Sequence, residues 1–340
     1  MKNTRPCPAP AVVAGLATLL LSACSTLQPG AAQVEASRDR QVYCARLVPP
    51  ATGRMSSRTA DADVPAAVLS RLPYSPRAME TARIIGVLPA LAGLAAPDSR
   101  GGTAASDDLA SIAARLADLR ARQQVLARIS LASLEVSSVL AELDCEGERN
   151  DQLRDRLQRI EDDRLRRHTL GGIIVGALTA IAGGTLSLAS RANAADVAAI
   201  LGGATETGIG LSALGGAQSA RFEHPRNPLG ALWSGSTDAA AVFPPSVWQY
   251  LNSPSSRAGN LTNRDLLIEQ WKMPERLGIP GSQDAERRAT LLFGSGGTYT
   301  LPDLQVRDAM LDMLEARVAL FNQNIADLLR EVIFAGSGDD

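Results

Sequence analysis

Residues 109–143 read LASIAARLADLRARQQVLARISLASLEVSSVLAEL. Leu109, Ile112, Leu116, Leu119 and Leu126 recur at three- and four-residue steps, the period that puts apolar side chains on one helix face. Ser106, Asp107 and Asp108 precede them, and acids suit the positive end of a helix dipole. The apolar track runs on through Ile129, Leu140 and Leu143 and loosens over 145–150. It resumes in a shifted register at Leu153, Leu157 and Ile160. The spacing predicts a long amphipathic, coiled-coil-like element over 106–168, either one helix or a short hairpin turning near Gly147. Gln123, Ser130 and Ser133 stand where a strict two-stranded seam wants leucine, so an intramolecular bundle fits as well as a coiled coil.

Residues 146–168 hold seven acids and seven arginines, many at spacings that allow ion pairs along one face. This reads as a solvated helix surface. Asp162 and Asp163 belong to it, with no apolar surroundings to push their pKa values apart.

Residues 169–220 carry the next pattern. Gly172, Gly176, Ala180 and Gly184 form one four-residue stripe, and Ala204, Gly208, Ser212, Gly216 and Ala220 form a second. A glycine inside a helix costs about 1 kcal/mol relative to alanine, so close backbone approach is the expected return. Two antiparallel helices laid together along these stripes would provide it. The pattern resembles the glycine-zipper hairpins of several families of outer-membrane lipoproteins, in spacing and context and not in a longer signature. The first arm, 170–189, is uncharged and long enough to span a bilayer, with Arg164, Arg166, Arg167 and Arg191 around it. The second contains Asp196 and Glu206, and Glu206 is costly inside hydrocarbon. The hairpin therefore either contacts a membrane or packs within a water-soluble helical body or self-association surface.

The N-terminus carries an address. Lys2 and Arg5 precede an apolar run over 9–21, and Leu21-Ser22-Ala23-Cys24 follows. The layout is that of a secretory signal peptide. It resembles bacterial lipoproteins, whose lipobox ends in a cysteine that is acylated with diacylglycerol and a further fatty acid such as palmitate. The resemblance implies removal of residues 1–23, lipidation of Cys24, and an outer-membrane location on the periplasmic face, since Ser25 is not the aspartate that marks inner-membrane retention. Residues 24–64 then serve as tether and loop.

In an oxidising envelope, Cys44 and Cys145 would be the two remaining thiols. They either form a disulfide with each other or stay as two buried or free thiols. A bond would close a loop worth up to about 4–5 kcal/mol in the chain-entropy description.

Short apolar runs broken by Pro73, Pro76 and Pro89 predict short helices over 65–97, the later one kinked or ended near Pro89. Residues 221–335 hold all three tryptophans and read as a smaller helical domain. Pro244-Pro245-Ser246 precedes one helix, Thr262 or Asn263 caps another, 283–293 is a third, and Thr300 with Asp303 opens a last one reaching about 334. Gly294-Ser295-Gly296-Gly297 reads as a flexible linker, and 336–340 as a disordered tail. Phe243, Trp248 and Tyr250 either plug a small core or line a ligand cleft.

Chemistry is sparse. His168 and His224 are the only histidines and are not spaced as metal ligands. There is no G-x-S-x-G elbow, no phosphate-binding loop and no dinucleotide fingerprint. Lysine occurs only at Lys2 and Lys272, and charges of both signs are interspersed, so no basic footprint for nucleic acid appears. The expectation is an all-α, non-enzymatic envelope scaffold. It needs no cofactor, and it associates with itself or with a membrane complex through its helices; the alternatives are a membrane-inserting oligomer or a peptidoglycan-binding or enzymatic C-terminal domain.

Overall fold

A computed structural model describes residues 34–35, 44, 64–94, 109–188, 218–235, 242–255 and 259–337. Most of them are helical. The helices are α1 (Ala66–Leu69), α2 (Pro76–Ile84), α3 (Leu88–Leu94), α4 (Leu109–Leu188), α5 (Pro228–Ser234), α6 (Pro245–Leu251), α7 (Asn263–Trp271), α8 (Gln283–Phe293) and α9 (Leu301–Ser337). Three short strands, β1 (Val34–Glu35), β2 (Ser219–Glu223) and β3 (Gly296–Thr300), form one sheet in that order. The chain divides into two compact units, one of residues 35–155 and 221–340 and one of 1–34 and 156–220.

The larger unit is built on two helices with matching periods. On α4 the buried positions up to 155 include Val125, Ile129, Ala132, Val136, Val139, Leu143, Glu146, Asn150 and Leu153, with Glu142 beside the seam, and on α9 they include Leu304, Arg307, Leu311, Leu314, Val318, Phe321, Ile325 and Leu328. Both series alternate steps of three and four, the heptad seam of packed helices. The helices run antiparallel. Ser133 donates to Asn322 at 3.4 Å, Arg307 to Glu146 at 3.0 Å, Asn150 to the Leu304 carbonyl at 3.0 Å, and Arg154 to Asp308 at 2.9 Å. From Ser133 to Asn150 the number on α4 rises as that on α9 falls from 322 to 304, and the long Arg154 side chain reaches back one turn to Asp308.

Other elements close the core around this pair. α2 packs along α9, where Glu331 accepts from the Ser75 amide and hydroxyl at 2.7 Å each. Ser75 also caps α2 by accepting from the Ala78 amide. From the 221–293 segment, Tyr250 stacks on Phe321 with centroids 4.4 Å apart, Arg226 pairs with Glu142 at 2.6 Å, and Ser246 donates to Glu135 at 2.5 Å. α5 lies on α8 through stacked Trp233 and Phe293, with centroids 4.1 Å apart. Gly230 is required there, because a Cβ would strike the Phe293 carbonyl.

Local signals place most helix ends. Thr262 and Asp265 form a reciprocal capping box at α7, and Ser282 accepts from the Ala285 amide at α8. Thr300 donates from both its amide and its hydroxyl to Asp303 at the start of α9. Four expectations change. α4 passes through Gly147 and 168–169 as one 80-residue helix, because the buried seam on its middle part holds the helix where the surface leucine track loosens. Pro89 lies in the first turn of α3, where its missing amide hydrogen costs nothing. Gly296 begins β3 at φ 106°, with no room for a side chain against the Phe222 carbonyl, so the glycine run is a strand entry as well as a breaker. α9 reaches Ser337, so Gly336 and Ser337 of the predicted tail are helical.

Candidate functional site

The most concentrated charge lies inside the larger unit. Glu146, 5% exposed, is shared by Arg307, 0% exposed, and by Arg149, whose contact is a short one. Both guanidiniums also sit over the Phe222 ring, at 5.1 and 4.9 Å from its centroid, where the negative ring face attracts a cation. Asn150 is the next seam residue and donates to the Leu304 carbonyl and to Asp308. A polar layer therefore interrupts the apolar seam, and mismatched registers would strand its charges.

Next to it, the Tyr299 hydroxyl donates to the Leu291 carbonyl at 2.9 Å and lies 2.7 Å from His224 Nε2. Since the tyrosine proton is committed to Leu291, Nε2 must donate. His224 is thus the neutral Nε2–H tautomer. Burial first, then Arg307 and Arg149, push its pKa down to about 2. Burial likewise raises the Tyr299 phenol. Asp303 is 0% exposed, and burial alone would raise its pKa. Hydrogen bonds from Arg287 and Thr300 outweigh that and hold it below the ordinary carboxylate range. Each of these groups is held in one protonation state by fixed partners, a structural arrangement with no poised acid or base.

An open hollow of about 890 Å³ lies beside α9, lined in part by Met273, Arg276, Arg288, Val306 and Met313. Its Arg288 is occupied by Asp303 at 3.2 Å and by the Arg276 carbonyl at 2.7 Å. Among the described residues no group of three or more His, Cys, Asp or Glu is placed to hold a metal ion.

What remains conspicuous is the surface of α4 away from its seam. Leu109, Ile112, Leu116, Leu119 and Leu126 are 82, 46, 46, 61 and 45% exposed. Their steps are three, four, three and a full heptad of seven, one residue out of phase with the buried seam. Arg115 and Arg122 lie along one side of this stripe and Arg120 along the other. Further on, Leu170, Ile173, Ile174, Leu178 and Ile181 are exposed on one face, whereas Gly172 and Gly176 opposite are half-buried. This stretch belongs to the one described helix that is long and apolar enough to cross a membrane.

Cys44 and Cys145 form a disulfide with Cα atoms 5.6 Å apart, tying the segment before α1 to the middle of α4. Cys24, Ala204, Gly208, Ser212 and Gly216 lie outside the described residues. Gly172, Gly176, Ala180 and Gly184 are all in α4, and a Cβ on Gly172 would meet nothing within 4 Å. Ala180 is exposed. Ala220 is a correction: it is buried in β2 and is no part of a helical stripe, because Phe222 and Tyr299 draw this stretch into the sheet, edge to face with centroids 5.9 Å apart. Phe243 and Tyr250 are buried and Phe243 stacks on the half-buried Trp248, so these rings pack in the core. The sequence reading also missed Glu146 and Asn150, taken for solvated charge and loosened pattern. The step of three and four linking them to Val139, Leu143 and Leu153 was the signal available.

No protein-family model matches the chain, and no curated protein or solved structure does.

Proposed function

We propose that this chain is a non-enzymatic, lipid-anchored scaffold of the cell envelope, tethered at Cys24, that binds another protein through α4. The observation that carries the reading is the exposed stripe Leu109, Ile112, Leu116, Leu119 and Leu126. Heptad spacing is the footprint a second helix fits. The flanking Arg115 and Arg120 would face their own copies in a parallel homotypic pair, while Arg122 is already paired with Asp118, so charge favours an acidic-flanked helix of a different protein over a second copy in parallel. The disulfide supports an oxidising compartment.

Mass spectrometry of the membrane fraction tests the anchor. The mature N-terminal peptide should begin at Cys24 and carry acyl chains, and Cys24→Ser should release the protein from its membrane or leave residues 1–23 attached. A mature chain starting elsewhere, without lipid, would end this reading.

A further inference from the structure

The C-terminal part of α4 differs from the stripe at its N-terminal end. Residues 169–188 contain no charged side chain and are helical throughout. Twenty helical residues rise about 30 Å, the thickness of a bilayer's hydrocarbon core. Arg166 and Arg167 stand exposed immediately before this stretch, where their guanidiniums would meet lipid phosphates. Within it the bulky side chains are exposed on one face, with Ile173 at 63%, Leu178 at 62% and Ile181 at 64%. Gly172 and Gly176 stand on the opposite face. In water that distribution leaves a broad apolar patch uncovered. In lipid it is the usual division, with large residues toward acyl chains and small ones toward protein.

Connectivity adds a constraint. Residues up to 155 and residues from 221 belong to the same compact unit, so the chain leaving at 156 must be back by 221. A single crossing would leave the two halves of that unit on opposite sides of the membrane. We propose that 169–188 enters a lipid bilayer from the side on which the larger unit lies, and that the chain returns to that side before β2. The occupant of the exposed face is acyl chain, and the entry is independent of an acyl group on Cys24.

The chain from residue 24 onward with Cys24→Ser keeps every described residue and lacks both signal and lipid, so it separates this proposal from the anchor. Mixed with vesicles of phosphatidylethanolamine and phosphatidylglycerol, it should float with them in a density gradient. Ile174→Asp together with Leu178→Asp should lower the vesicle-bound fraction by at least roughly 100-fold, the cost of carboxylates at mid-bilayer. Ile174→Leu with Leu178→Ile should leave it unchanged. Formation of the Cys44–Cys145 bond in all variants serves as the folding control. Trypsin added outside the vesicles should spare Arg191 in floated protein and cut there once detergent dissolves the vesicles. Cleavage at Arg191 in floated protein before detergent is added would overturn the proposal. So would failure of this chain to float while the acylated full chain does. If the acylated chain also failed to float, both this proposal and the anchor would fall.

Discussion

Glu146 neutralises two guanidiniums at once, and the consequences of losing it differ from those of losing either partner. Removing its charge leaves Arg307 fully buried without a counter-ion, the situation that costs about 3–5 kcal/mol when a buried pair is broken. Replacing Arg307 by methionine keeps most of the volume and leaves Glu146 paired with Arg149. Urea unfolding should therefore rank Glu146→Gln as clearly more destabilising than Arg307→Met, and equal midpoints would contradict the shared-carboxylate geometry. His224 gives a pH signature. Its pKa is about 2 folded and about 6.5 unfolded, so between those values the unfolded chain holds the extra proton. Stability then rises with pH through this window and is lost as pH falls below about 6.5, by roughly 1.4 kcal/mol per pH unit. His224→Gln should flatten the unfolding free energy between pH 6.5 and 5; an unchanged slope would assign the effect to other groups. The sequence reading placed Glu146 on a solvated face, because a balanced charge run looks the same whether or not one member turns inward. Only the facing Arg307, 161 residues away, decides it.

At the scale of the element, α4 carries two apolar stripes of identical period, and only one of them is core. Leu143, 2% exposed, should cost about 2–5 kcal/mol on truncation to alanine, whereas Leu116→Ala on the outer stripe should leave chemical stability within about 0.5 kcal/mol. Comparable losses at both positions would mean that the outer stripe is also internal. Gly147 sits inside the helix and a Cβ there meets nothing. Gly147→Ala should thus stabilise by up to about 1 kcal/mol, and a loss would favour the turn that the loosened pattern suggested. Length and amphipathicity were legible here because periodicity is a property of the chain itself. The phase of the core was not, since Val125 and Leu126 are adjacent and the partner helix selects between them. The helices over 245–293 were legible from Pro-Pro, Thr262 and Ser282, which act within one turn. β2 and β3 were not, for a five-residue strand is defined by its distant neighbour.

For the whole molecule, the Cys44–Cys145 bond closes a loop across a separation of 101 residues. Cys145→Ser should lower the unfolding free energy by about 2–5 kcal/mol. Reductant should destabilise the wild type by a similar amount and leave the variant unmoved. The bond also fastens Cys44, before α1, to the middle of α4. The two thiols are legible in the sequence, but whether positions so far apart meet depends on the folded chain. The account assigns three duties to one helix: a seam with α9 in the middle, a protein-binding stripe before it and a lipid-facing stretch after it. Site-specific photo-crosslinking in cells, with the reactive group placed in turn at positions 119, 143 and 178, tests all three together. The account predicts adducts to another protein from 119, intramolecular adducts to α9 from 143 and lipid adducts from 178. Protein or solvent products alone from 178, together with no intermolecular adduct from 119, would contradict it.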